Sequence, residues 1–185
     1  MLCENEKVKN TYPINVVRCQ ECTLIQVDYI VNQSEVYHLD YPYLPGITKT
    51  VDEEQKQFSN FLVDKLSLTA NDLAVDFGSN DGSLLKHLKS KNIKVVGVEP
   101  TNIAKIANEN GIVTYQNFFN EEVVDEIIEK HGKAKVITST NVFAHMSTLG
   151  DVMNGIVKLI DEDGYYCFEN HYALEIIKNL QYDTF

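Results

Sequence analysis

The sequence predicts a doubly wound α/β domain built on a mostly parallel sheet, and three observations predict it. From about residue 50 onward, short apolar runs alternate with amphipathic stretches at the spacing of βαβ units. Those runs are apolar almost without interruption, as strands covered on both faces are, rather than alternating in the manner of a half-exposed sheet. The first of them runs straight into a glycine-containing bend, Gly78-Ser79-Asn80-Asp81-Gly82.

Residues 1–50 form a separate, tyrosine-rich block, and residues 51–185 the main domain. In the first block, Val16-Val17-Arg18-Cys19 and Thr23-Leu24-Ile25-Gln26-Val27 flank a C-x-x-C turn. This is the pattern of a partial zinc-ribbon-like hairpin, with Cys19 and Cys22 as candidate ligands. Structural zinc usually takes four ligands, and Cys3 and Cys167 stand alone, so the alternatives are half a site or two ordinary thiols. The prolines and glycine of Tyr41-Pro42-Tyr43-Leu44-Pro45-Gly46 mark a loop.

In the main domain, Thr50 is expected to cap a helix whose first turn holds Asp52, Glu53 and Glu54, acids suited to the positive end of the helix. Phe58, Phe61, Leu62 and Leu66 recur along it at helical spacing. Leu73–Phe77 is the first strand, followed by a helix over Ser83–Leu88. Val95–Val98 is the second strand, with a helix over Asn102–Glu109. Ile112–Tyr115 is the third, with a helix over Glu121–Lys130. Val136–Ser139 is the fourth, after which Ser147 is expected to cap a helix carrying Leu149, Val152, Ile156 and Leu159 on one face. Tyr165–Glu169 is the fifth strand, and a last helix covers Tyr172–Leu180.

Composition narrows the function. A chain of 185 residues with 44% hydrophobic content can bury the core of one α/β domain with a small appendage. Its formal net charge of -11 argues against nucleic acid as a partner, because phosphate neutralisation needs clustered Lys and Arg. No apolar stretch approaches the length of a spanning helix, so no membrane partner is expected. The opening Met1-Leu2-Cys3-Glu4-Asn5-Glu6 has no apolar signal core, and the expected location is the cytoplasm.

In a doubly wound sheet, ligands sit beyond the carboxyl ends of the strands. Gly78 opens the first strand-to-helix turn, where the backbone must bend sharply and approach a ligand. Glu99 ends the second strand, where a carboxylate can accept two ribose hydroxyl hydrogen bonds. A glycine turn followed by an acid also fits a nicotinamide dinucleotide site. The absence of G-x-G-x-x-G favours an adenosyl ligand without a pyrophosphate. Asn117 and Phe118 follow the third strand and could pack against adenine and bond its edge. Asn141 and His145 follow the fourth, where reacting groups face the ligand. An unperturbed imidazole titrates near pH 6.5, which suits proton transfer at neutral pH. His171 and Glu169, at the end of the fifth strand, are further candidates.

Six strings, in order, resemble sugar C-methyltransferases. They are Cys19–Gln26, Tyr41-Pro42-Tyr43, Phe77–Leu85, Gly97-Val98-Glu99-Pro100, Gly111–Thr114 with Phe118-Phe119, and Asn141-Val142-Phe143-Ala144-His145. The resemblance implies a class I, S-adenosylmethionine (SAM)-binding, Rossmann-like fold acting on a nucleotide-linked 4-keto-deoxysugar. It implies that Gly78, Ser79, Asn80, Asp81 and Glu99, with Asn117, Phe118 and Asn141, hold the cofactor. His145 would lie near the sugar and the transferred methyl, with Tyr41 or Tyr43 lining the same cleft. Cys19-Gln20-Glu21-Cys22 would be one knuckle of the family's zinc module. The family continues past the equivalent of Phe185 into a Tyr-His-Glu-His segment that carries its proposed base, then into a large further domain, and class I sheets end with two further strands. The expectation is therefore an incomplete sheet, in a chain that is a SAM-dependent C-methyltransferase acting at C3 of that sugar or the SAM-binding portion of one. The alternatives are a non-catalytic fragment or split subunit that needs a second chain to supply the C-terminal half, and a small-molecule methyltransferase with another substrate.

Overall fold

The computed structural model describes residues 11–37 and 48–181, and Tyr41 and Tyr43 lie outside the described residues. The chain forms two compact units, Tyr37–Asn170 and a second that joins the residues up to Val36 with those from His171.

The smaller unit contains an antiparallel hairpin of β1 (Val16–Arg18) and β2 (Ile25–Val27), paired Val16 to Val27 and Arg18 to Ile25. Cys19 and Cys22 lie in its connecting turn, where the Thr23 N–H donates to the Cys19 carbonyl at 3.1 Å. The unit also holds a short helix α1 (Gln33–Val36) and, in chain order after the main unit, the helix Ala173–Asn179. The Tyr12 and Tyr29 rings stack with centroids 5.8 Å apart.

The main unit begins with α2 (Lys49–Leu66). Its N-cap is Thr48 rather than the expected Thr50, and the capping hydroxyl makes no hydrogen bond to the helix. Five strands follow: β3 (Leu73–Phe77), β4 (Lys94–Val98), β5 (Thr114–Tyr115), β6 (Ala134–Thr140) and β7 (Ile160–Glu169). They form one sheet in the order β5-β4-β3-β6-β7, every pair parallel. The connecting helices are α3 (Ser83–Lys89), α4 (Ile103–Glu109), α5 (Glu121–His131) and α6 (Leu149–Leu159), with a single 3-10 turn at Phe143–His145 between β6 and α6. Strand order runs outward from β3 to β5, then jumps back across β3 to β6. This places a topological switch point between β3 and β6, the place where an open α/β sheet leaves a crevice.

Two cores sandwich the sheet. On one face Leu62 of α2, Leu85 and Leu88 of α3 and Ala107 of α4 pack with Ala74 and Val136. On the other, Val123, Val124 and Ile127 of α5 and Val152, Ile156 and Leu159 of α6 pack with Val75, Phe77, Val98 and Ile137. Alternate residues of one strand thus serve opposite layers, the physical basis for uninterrupted apolar strands. Among the described residues β7 pairs with β6 alone, and Tyr165 and Phe168 on it are 51% and 53% exposed.

Candidate cofactor site

The carboxyl ends of β3 and β4 meet at one bend. β3 ends at Phe77, and Gly78 turns the chain with φ +70°. The N–H groups of Gly78 and Ser79 both donate to the Val98 carbonyl, at 2.8 and 3.1 Å. A Cβ on Gly78 would lie 2.3 Å from Cγ2 of Val142, so the bend also abuts the loop that follows β6. Only glycine satisfies both the left-handed backbone and that closeness. Asn80 continues the bend with φ +50°, a conformation its short amide tolerates.

Glu99, 5% exposed, closes β4 and locks the bend. Its Oε2 accepts from the Asn80 N–H at 3.1 Å, and its Oε1 accepts from the Thr101 N–H and hydroxyl at 2.9 and 2.7 Å. A carboxylate offers about four lone-pair directions. Three are taken, so without rearrangement Glu99 has room for one ligand hydroxyl, where the sequence suggested two.

The remaining residues of the bend divide by role. Asp81 Oδ1 accepts from the Ser83 N–H at 3.2 Å and from the Ser83 hydroxyl, an acid fixing the first turn of α3. The Ser79 hydroxyl is buried against Gly97, where an added Cβ would come within 2.5 Å of it, and has no hydrogen-bond partner among the described residues. Its backbone, rather than its side chain, shapes the bend.

Asp76 is the residue that sequence reasoning missed. It is 5% exposed and accepts from the Thr138 hydroxyl at 2.7 Å, across the β3–β6 switch point. Burial pushes its carboxyl up to about 7; the Thr138 hydrogen bond opposes this, and the nearby charge of Glu99 adds to it. The available signal was an acid inside the otherwise apolar run Leu73-Ala74-Val75-Asp76-Phe77. A buried acid with a raised pKa in a crevice is a common mark of a functional site.

Asn117 follows β5. Its Oδ1 accepts from the Phe118 N–H at 2.8 Å, which leaves the amide nitrogen as a donor for a ligand acceptor such as an adenine ring nitrogen. Phe118 is half-buried, whereas Phe119 is core, stacked on Phe77 with centroids 4.5 Å apart. Asn141 follows β6 with φ +55° and is tied to Glu169 at the end of β7. His145 is exposed on the 3-10 turn, its ring 6.4 Å from that of Tyr37. His171 belongs to the smaller unit. In that unit, backbone N–H groups of Cys22 and Glu21, then the Cys22 thiol, hold the Cys19 thiol below its ordinary pKa. No group of three or more His, Cys, Asp and Glu gathers to hold a metal among the described residues.

Residues 51–182 match the family model described as "Methyltransferase domain". The chain belongs to the methyltransferase domain family. It is 33% identical over 174 residues to the C-methyltransferase NovU of Streptomyces niveus, covering 94% of this chain and 41% of that protein. The chain thus spans under half the length of this curated relative. Among solved structures it is similar to Streptomyces venezuelae DesVI (TM-score 0.53, 17% identity, 78% of this chain and 59% of that one). It is also similar to coclaurine N-methyltransferase bound to N-methylheliamine and S-adenosylhomocysteine (TM-score 0.50, 18% identity, 66% and 38%). At such identities these two establish the fold, a class I methyltransferase-like parallel sheet. No helix among the described residues is long and apolar enough to cross a membrane.

Proposed function

We propose that this chain is the SAM-binding portion of a C-methyltransferase that acts at C3 of a nucleotide-linked 4-keto-deoxysugar. The observation that carries the cofactor reading is the hydrogen bond from the Asn80 N–H to Glu99 Oε2, which brings bend and carboxylate together at the carboxyl ends of β3 and β4. The likeness to NovU supports transfer to carbon, and the ordered strings support a sugar acceptor.

The cofactor supplies an electrophilic methyl group on a sulfonium. Glu99 would receive a ribose hydroxyl, and Asn117 would donate to the adenine edge. The proton at C3 of the sugar is acidic because C4 is a ketone. By the resemblance the proton would go to a base in the Tyr-His-Glu-His segment, with His145, exposed beyond β6, near the sugar and the methyl and an alternative acceptor of the proton. The enolate carbon would then bond to the methyl as the methyl–sulfur bond breaks. The protein's part is to orient the two reactants and to steady the enolate charge. Solvent deuterium exchange at C3 of a nucleoside-diphosphate 4-keto-6-deoxyhexose tests the proton step separately from methyl transfer. Exchange dependent on His145 supports the sugar reading, and its absence with SAM bound, both from this chain alone and from it together with a polypeptide matching the rest of NovU, points to another acceptor.

A second reading is favoured by the ten-residue β7, which among the described residues pairs with β6 alone and carries the exposed aromatics Tyr165 and Phe168. An edge of this kind invites pairing. The reading is a split subunit, completed by a second chain that corresponds to the part of NovU this chain does not span. Coexpression with such a polypeptide, followed by the exchange assay, tests it: exchange only with both present supports the split, and exchange by either alone rejects it. Zinc on Cys19 and Cys22 remains a proposal of the resemblance, with two of four ligands present on the turn.

A further inference from the structure

Resting on the cofactor reading above, we infer that Glu169 is a positioning residue that acts through Asn141, aiming its side-chain amide oxygen as an acceptor for the ammonium group of the amino-acid end of SAM.

Asn141 and Glu169 end neighbouring parallel strands and are joined twice. The Asn141 N–H donates to the Glu169 carbonyl at 2.9 Å, which extends the β6–β7 ladder by one rung. The Asn141 Nδ2 donates to Glu169 Oε1, also at 2.9 Å. The second bond fixes which end of the amide faces which way. One Nδ2 hydrogen is taken by the carboxylate, so Oδ1 is the end of the amide directed away from Glu169, and it can only accept. A ligand group meeting it must donate.

Two further observations place this acceptor on the cofactor side. Asn141 takes a left-handed φ of +55°, which bends the chain just past the end of β6. The next residue, Val142, is the side chain that abuts Gly78. The Asn141 turn and the glycine bend are therefore neighbours in space. Adenosine and ribose contacts are accounted for by Glu99 and Asn117 on the β4–β5 side. The opposite, β6 side is left for the other end of the molecule, whose donor is an ammonium. Sugar hydroxyls of an acceptor are donors too, and the test separates the two sources.

The experiment is calorimetry on the whole chain with two probes. S-adenosylhomocysteine carries the amino-acid tail, and methylthioadenosine has the same adenosine and sulfur without it. Glu169→Leu is expected to weaken S-adenosylhomocysteine binding by roughly three- to tenfold, the range for losing a partly exposed charge-assisted hydrogen bond, and to leave methylthioadenosine binding unchanged. Glu169→Gln, whose amide oxygen can still accept from Nδ2, is expected to restore most of the affinity. Asn141→Gly tolerates the left-handed backbone and should match the Glu169→Leu loss, with no further loss in the double variant. Equal effects on both probes, no effect on either, or additive losses would overturn the inference. Failure of the unsubstituted chain to bind S-adenosylhomocysteine would instead overturn the cofactor reading beneath it.

Discussion

Glu99 Oε1 accepts both the Thr101 N–H and the Thr101 hydroxyl, at 2.9 and 2.7 Å, so a single threonine two residues downstream holds half of the carboxylate in place. Thr101 is almost fully buried, and both bonds are shielded from water. Thr101→Val removes the hydroxyl and keeps the shape. It is expected to cost about 1–2 kcal/mol in urea unfolding, because the lost bond is charge-assisted. It should also loosen the carboxylate and weaken adenosyl-ligand binding in calorimetry.

Gly78→Ala places a Cβ 2.3 Å from Val142 Cγ2 on a backbone with φ +70°. The left-handed conformation alone costs an L-residue about 1–2 kcal/mol, and the overlap adds to it. The double variant Gly78→Ala with Val142→Ala should recover the overlap but not the backbone strain. Chemical denaturation of the three variants separates the two contributions.

Asp76 gives the domain an unusual pH response. Its carboxyl keeps its proton up to about 7 in the folded protein, against an ordinary value of 3.8. Between those two pH values the folded state binds more protons than the unfolded chain, so the contribution of this group to stability falls as pH rises through the window. Asp76→Asn is expected to flatten the slope of stability against pH between 4 and 7, read by urea midpoints across that range. A cationic ligand at the bend favours the ionised acid. SAM affinity should therefore rise with pH through about 7 more steeply than that of neutral methylthioadenosine.

The hairpin of the smaller unit predicts a metal content. With two thiols on one turn and no third ligand beside them among the described residues, elemental analysis of the purified chain should show less than one zinc per chain. Cys19→Ser with Cys22→Ser should leave the unfolding midpoint of the parallel-sheet unit unchanged. One tightly held zinc per chain would show that further ligands reach the turn.

Much of this architecture is legible in the sequence, for physical reasons that differ by element. β3 matches its apolar run Leu73–Phe77 end to end because it is the central strand and must be apolar on both faces. β7 begins at Ile160 rather than Tyr165, since Asp161, Glu162 and Asp163 disguise its first half, and an exposed edge strand tolerates them. β5 shrinks to Thr114-Tyr115 because the Ile112 N–H is used by the Ala107 carbonyl at the end of α4. The bend and Glu99 were readable because their residue types are demanded locally, by a positive φ and by the end of a strand. The Asn80 bond to Glu99, the burial of Asp76 and the Asn141–Glu169 pair were not. They depend on strand register, with Asp76 and Thr138 separated by 62 positions in the chain.

The central claim is that the Gly78–Asn80 bend and Glu99 together hold an adenosyl group. Its most direct test is calorimetric titration of the chain with S-adenosylhomocysteine, repeated on Glu99→Ala with folding confirmed by thermal unfolding. The account predicts one ligand per chain and at least a tenfold weaker complex in the variant, the loss of a charge-assisted hydrogen bond to a buried carboxylate. No heat at about 1 mM ligand, or equal affinity in both proteins, would contradict it.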